Sequence, residues 1–189
     1  MKESEWMRCK DPERMLEFLR GRASDRKIWL FAVAYCRKVW RVHGEEPKKW
    51  AEVAERYVEG KATWKELNAV CSTAPWWVAT VIANMSTYSG DLTSWEAELD
   101  TRAEILRDIF GPRPFRIVRV NPSWLRWNNG TVPHLARSIY EDRRFTDLPI
   151  LADALEEAGC TDPGILGHCR SGGEHVRGCW CLDLVLNKE

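Results

Sequence analysis

Long apolar runs are missing from this sequence. The longest, Ile28–Cys36, is nine residues, about half of what a bilayer span needs, so no membrane-spanning helix and no membrane partner are expected. The opening MKESEW is polar and charged and lacks the apolar stretch of a secretory signal. Net charge is missing as well: 28 Lys and Arg balance 28 Asp and Glu, and no global field draws the chain to nucleic acid or to an anionic surface. The sequence holds no G-x-G-x-x-G, G-x4-G-K-[ST], H-E-x-x-H or G-x-S-x-G. Phosphate-cradling loops, zinc-protease helices and serine-hydrolase elbows therefore have no support. Tight C-x2-C knuckles are also absent, and seven cysteines is an odd number. That argues for free thiols in a reducing cytoplasm rather than a secreted disulfide framework.

What is present is helical punctuation. Pro12 opens and Gly21 closes a short amphipathic piece carrying Met15, Leu16, Phe18 and Leu19. Ser24 caps a long helix to about His43, with Ile28, Phe31, Ala32, Tyr35, Val39 and Val42 on one face. Pro47 begins a helix that stops at Gly60, and Thr63 with Glu66 forms a capping box for the next. Residues 75–85 (PWWVATVIANM), apolar with β-branched character, fit a strand but read better as a further helix with Pro75 in its first turn, and Thr93 with Glu96 caps one with the face Trp95, Leu99, Ala103, Leu106 and Phe110. Residues 111–133, with Pro112, Pro114, Pro122 and Pro133 and the turn Asn128-Asn129-Gly130, form a proline-rich crossover loop with one short helix at Pro122. Helices resume over 132–144 and 147–158, then as a single turn near Pro163–His168, and finally over 178–186. The expected fold is all-α: a compact multi-helix domain over 1–189, with sub-halves 1–110 and 111–189.

The segments EW…CKDPERMLEFLRGRASDRKIWLFAVAYCRKVW, RDIFG, WNNGTVPHLARSIYEDRRFTDLPILADALEEAGCTD and HCRSGGEHVRGCWCLDLVLNKE are similar to a bacterial paralogous family that occurs in many copies in large genomes. The resemblance is loosest over about 70–95 and 111–127. It implies a cytoplasmic helical protein and carries no activity with it.

Chemistry concentrates at the C-terminal end: Cys160, His168, Cys169, His175, Cys179 and Cys181. Zinc takes four borderline or soft ligands, often in two close pairs joined by a loop. Cys160-x7-His168 and His175-x3-Cys179 are such pairs, and Ser171-Gly172-Gly173 lets the backbone double back between them. The expected ligands are Cys160, His168, His175 and Cys179, with Cys169 as substitute. Four protein ligands make such a site structural, and the alternative is that these cysteines simply pack in the core. Asp183 interrupts the apolar run Trp180–Leu186, and so lies on an exposed face or pairs with a cation such as Arg177. Cys169 or Cys179 with His175 and Asp183 supplies the residue types of a cysteine nucleophile, without a hydrolase signature around them.

Charge is uneven along the chain. Residues 20–41 hold seven bases and one acid (+6), and residues 141–162 seven acids and two bases (−5). The loop places Arg113, Arg116, Arg119 and Arg126 among Phe115, Trp124 and Trp127. Arginine between aromatic rings suits single-stranded nucleic acid, and tryptophan with arginine equally suits protein contacts. The reading is a non-catalytic binding protein whose partner is another protein, with Arg113, Phe115, Arg116, Trp124 and Trp127 as the interaction surface. The alternatives are a zinc-supported nucleic-acid binder using that loop and a Cys/His-dependent enzyme.

Overall fold

The computed structural model describes residues 1–43, 46–71 and 92–188. It is helical, with no strand among the described residues. The chain divides into two compact units, Met1–Arg107 and Asp108–Glu189. No described helix is long and apolar enough to cross a membrane.

In the first unit, a short helix α1 (Glu3–Trp6) precedes α2 (Pro12–Leu19). Asp11 caps α2, its carboxylate accepting from the backbone N–H groups of Glu13 and Arg14 at 3.0 and 3.1 Å, while Pro12 takes the position where no donor is needed. Helix α3 (Asp25–His43) follows Ser24, whose hydroxyl accepts from the Lys27 N–H at 3.4 Å. Its face Leu30, Phe31, Val33, Ala34 and Tyr35 is buried. Helix α4 (Glu46–Val58) packs along α3. Part of the positive charge of α3 is neutralised there, since Arg26 meets Glu59 at 2.9 Å and Arg37 meets Glu55 at 2.7 Å. Helix α5 (Trp64–Cys71) starts with the reciprocal box expected from Thr63 and Glu66. The Thr63 N–H donates to the Glu66 carboxylate at 2.8 Å, and the Glu66 N–H to the Thr63 hydroxyl at 3.3 Å. The helix expected over 75–85, and the side chains of the Thr93–Glu96 capping pair, lie outside the described residues.

Helix α6 (Leu92–Phe110) runs to the end of the first unit, and its last residues, Asp108–Phe110, belong to the second. The proline-rich segment then turns. Asn121 accepts from the Ser123 N–H at 3.0 Å and starts α7 (Pro122–Arg126). A 3-10 turn, Trp127–Gly130, places Asn128, Asn129 and Gly130 at positive φ (45°, 55° and 82°), which asparagine and glycine tolerate best. Helix α8 (Thr131–Asp142) packs against α9 (Leu148–Glu157) and α11 (Trp180–Leu186), and α9 packs against α10 (Pro163–Cys169). The core between them is Val132, Ala136, Ile139, Leu148, Leu151, Leu155, Ile165 and Leu182, together with four cysteines. The last helix begins at Trp180, two residues after the expected start, because Gly178 at φ 95° is outside any helical conformation and Cys179 takes the N-cap position. Asp183 is fully buried, which removes the exposed-face alternative. Arg177 donates to the carbonyls of Tyr140 and Glu141 at 2.8 and 3.0 Å, closing the C-terminal end of α8.

Candidate metal centre

Four side chains of the second unit converge on one point: Asp108, His168, His175 and Cys179. One donor atom from each lies within 4.8 Å of all the others. Asp108 comes from the last turn of α6 and His168 from α10. His175 comes from the connection after the Gly172-Gly173 turn, and Cys179 is the residue that starts α11.

Local packing explains why these segments meet. The Asp162 carboxylate caps α10 through the N–H groups of Gly164 and Ile165 at 2.8 and 3.2 Å, which fixes the helix that carries His168. Next to Cys179, the Trp180 indole lies against Gly111, three residues beyond Asp108. It lies so close that a methyl group on Gly111 would fall 2.4 Å from the indole Cδ1. The same indole lies 5.0 Å from the His168 ring, and the two imidazoles are 4.8 Å apart, edge to face.

The Asp108 carboxylate is divided between two tasks. Oδ2 accepts from the Val176 N–H at 2.8 Å, and Oδ1 faces His175 Nδ1 at 2.6 Å and His168 Nε2 at 3.3 Å. Burial alone would raise its pKa, but hydrogen bonds from both imidazoles, with their charge, outweigh that and hold the carboxyl below its ordinary range. Cys179 Sγ approaches His168 Nε2 at 3.1 Å. Burial first, and then the Asp108 charge, push this thiol well above its ordinary value.

These contacts separate a nucleophile from a ligand set. A thiol–imidazole–carboxylate relay places thiol and carboxylate on opposite ring nitrogens, so that a proton taken at one is balanced at the other. Here Cys179 and Asp108 both approach Nε2 of His168. Cys179 is also fully buried, and burial disfavours the thiolate form that a nucleophile needs. Donors meeting at one point instead surround a place for a cation, and a divalent cation is what would deprotonate that thiol.

The donor types are ones that a zinc-like cation takes: two imidazoles, one thiol that the cation would deprotonate and one carboxylate, their atoms within 4.8 Å of one another. With metal–ligand distances of 2.0–2.3 Å, a tetrahedron has ligand–ligand edges of about 3.3–3.8 Å. Two contacts, at 3.1 and 3.3 Å, are close to that range. The 2.6 Å contact of His175 with Asp108 would open by about 0.7 Å. Supporting contacts are also in place. Val176 orients the carboxylate, and Ser171 Oγ, which donates to the His168 carbonyl at 2.7 Å, stands 3.4 Å from His175 Nε2.

Of the expected ligands, His168, His175 and Cys179 come together and Cys160 does not. Cys160 follows the left-handed Gly159, and its N–H is bound to the Leu155 carbonyl at 2.9 Å at the end of α9. Its side chain packs in the helical core, where burial raises the thiol. The substitute, Cys169, is also in the core, its sulfur 3.1 Å from Cys181 rather than in the cluster. Asp108 takes the fourth position. Sequence reasoning missed it because it lies 67 positions before His175, and its one signal was a carboxylate directly before the apolar pair Ile109-Phe110 at the end of a helix.

Along the loop, Trp124 and Trp127 are partly buried and packed against the core of the second unit. Arg113 and Phe115 are half-buried, and Arg116 is exposed and reaches Gly164 at the start of α10. Ile117 is 78% exposed. No family model matches the chain, and no curated protein or solved structure shows significant similarity to it.

Proposed function

We propose that the protein is a cytoplasmic, non-catalytic binding protein whose second unit is locked by one structural zinc ion held by Asp108, His168, His175 and Cys179. The observation that supports this is the convergence of four donors on one point, Asp108 and Cys179 buried and His168 and His175 half-buried. All four coordination positions are filled by protein, which leaves none for substrate. The ion would tie the end of α6 to α10 and to the start of α11, adding to the hydrogen bonds that Ser171, Val176 and Arg177 already make along the 171–178 connection.

Metal analysis by mass spectrometry on untagged protein, purified without chelator, tests the reading directly. The expected result is one zinc per chain, and its removal by chelator should lower the thermal midpoint of the second unit. Substoichiometric metal after purification in zinc-supplemented buffer would remove the metal from the proposal.

For the partner we propose another protein rather than nucleic acid. The loop's tryptophans are engaged in packing, while Ile117 stands exposed beside Arg116 and Arg119, a pairing of apolar anchor and guanidinium that suits protein contacts. A fluorescent single-stranded oligonucleotide should therefore show no binding at an ionic strength of about 0.15 M. Binding that falls steeply and linearly on a log–log plot against salt would favour the nucleic-acid alternative.

A further inference from the structure

Next in the chain to two of the four converging donors lies a second pair of groups. Cys169 and Cys181 are fully buried, and their sulfur atoms are 3.1 Å apart. Cys169 ends α10 one residue after His168, and Cys181 lies in the first turn of α11, two residues after Cys179. The pair thus joins the same two segments as the imidazole and thiol of the cluster, across the same glycine-containing connection.

We propose that Cys169 and Cys181 are a redox-active dithiol, which a hydroperoxide oxidises to a disulfide that clamps the hairpin carrying His168, His175 and Cys179. A disulfide bond is about 2.05 Å long, so the two sulfurs need to approach by about 1.1 Å. Shared between the two side chains, that is about half an ångström for each sulfur. In the first step one sulfur attacks the O–O bond, forming a sulfenic acid and releasing one water when the oxidant is hydrogen peroxide. The second sulfur then attacks the sulfenic sulfur, the S–S bond forms and a second water leaves. The two thiols lose two electrons and two protons, and the peroxide is reduced to water. Burial makes the first step slow and dependent on local opening of the hairpin, which separates this pair from a fast peroxide sensor.

The disulfide itself does not depend on zinc. Its consequence for the metal rests on the zinc reading above: a hairpin closed covalently keeps its ligands preorganised, so the ion should leave more slowly. The test uses the full chain, reduced and incubated with zinc, then treated with hydrogen peroxide and digested without reductant. The expected product is a peptide pair joined through Cys169 and Cys181. A chromophoric chelator should take zinc from the oxidised protein roughly tenfold more slowly than from the reduced protein, the lower end of what supporting groups contribute to metal affinity. Cys169→Ala should remove both effects while leaving all four ligands, and Cys181→Ala serves the same purpose if the first variant folds poorly. Oxidation confined to Cys179, or disulfides between chains in place of the Cys169–Cys181 link, would overturn the proposal. A chain that forms the link but binds no zinc would uphold the dithiol and discard the metal.

Discussion

Replacing Asp108 by Asn is expected to lower zinc affinity at least about a hundredfold, equivalent to about 2.8 kcal/mol at 1.4 kcal/mol per decade. The substitution keeps the shape of the side chain and removes its charge. One carboxylate oxygen of Asp108 accepts from the Val176 N–H, and the other faces both imidazoles. An amide has one oxygen for these two tasks. With its oxygen toward Val176, its NH2 group points at the cation position; with its oxygen toward the cation, its NH2 group faces a backbone donor at a buried site. Either orientation costs more than a supporting residue would, because in the proposed site the lost group is itself a ligand. The stability linked to binding should fall with it, by up to about 4 kcal/mol where free zinc stands at 1,000 times the wild-type dissociation constant. Competition titration against a chromophoric chelator reads the affinity, and thermal melting with and without zinc reads the linkage. Cys160→Ala is the matched control. It removes a thiol from the core outside the cluster, so it should cost stability through the cavity it leaves and keep the wild-type zinc affinity. If Cys160→Ala loses zinc and Asp108→Asn keeps it, the ligand set expected from spacing alone is the right one.

How much of this was legible in the sequence divides by the range of the interaction. Caps are local, and they read well: Ser24, the Thr63–Glu66 box and Pro122 each sit at the start of the helix expected of them. The four-residue α1 carries too few positions to show a periodic face. Gly178 read as the first residue of the last helix, but its left-handed backbone ends the approach to that helix instead. In the cluster, the three residues brought together from the expected set lie within twelve positions of one another, from His168 to Cys179. Asp108 enters through contacts between residues far apart in the chain, its own with Val176 and His175 and that of Trp180 with Gly111, with no spacing to announce them. The loop shows the opposite error. Arginine interleaved with aromatic rings resembles a stacking surface in composition, and only the fold shows that Trp124 and Trp127 spend much of their area on the core.

Gly111→Ala should destabilise the second unit by about 3 kcal/mol, the sum of two separate costs. Gly111 has φ 51°, a left-handed conformation that an alanine adopts at a penalty of about 1 kcal/mol. Its added methyl would also fall 2.4, 2.5 and 2.6 Å from Cδ1, Cγ and Nε1 of Trp180. No carbon rests that near a ring, and the indole has little freedom to yield: it is 2% exposed, with the His168 ring 5.0 Å away. Moving it costs about 2 kcal/mol more, as overpacking does elsewhere in protein cores. For a chain of this length the total lowers the melting midpoint by about 6–12 °C. The damage should also reach the metal, because the displaced ring lies beside Cys179 in sequence and against His168 in space, so zinc affinity should fall about tenfold or more. Gly159→Ala isolates the backbone cost. Gly159 has φ 94°, with no atom within 4 Å of an added methyl, so this variant should lose stability through strain alone and keep its zinc. Equal losses in the two variants, with zinc affinity unchanged in both, would mean that the Trp180–Gly111 contact does not hold Asp108 against the cysteine and histidines of the C-terminal hairpin.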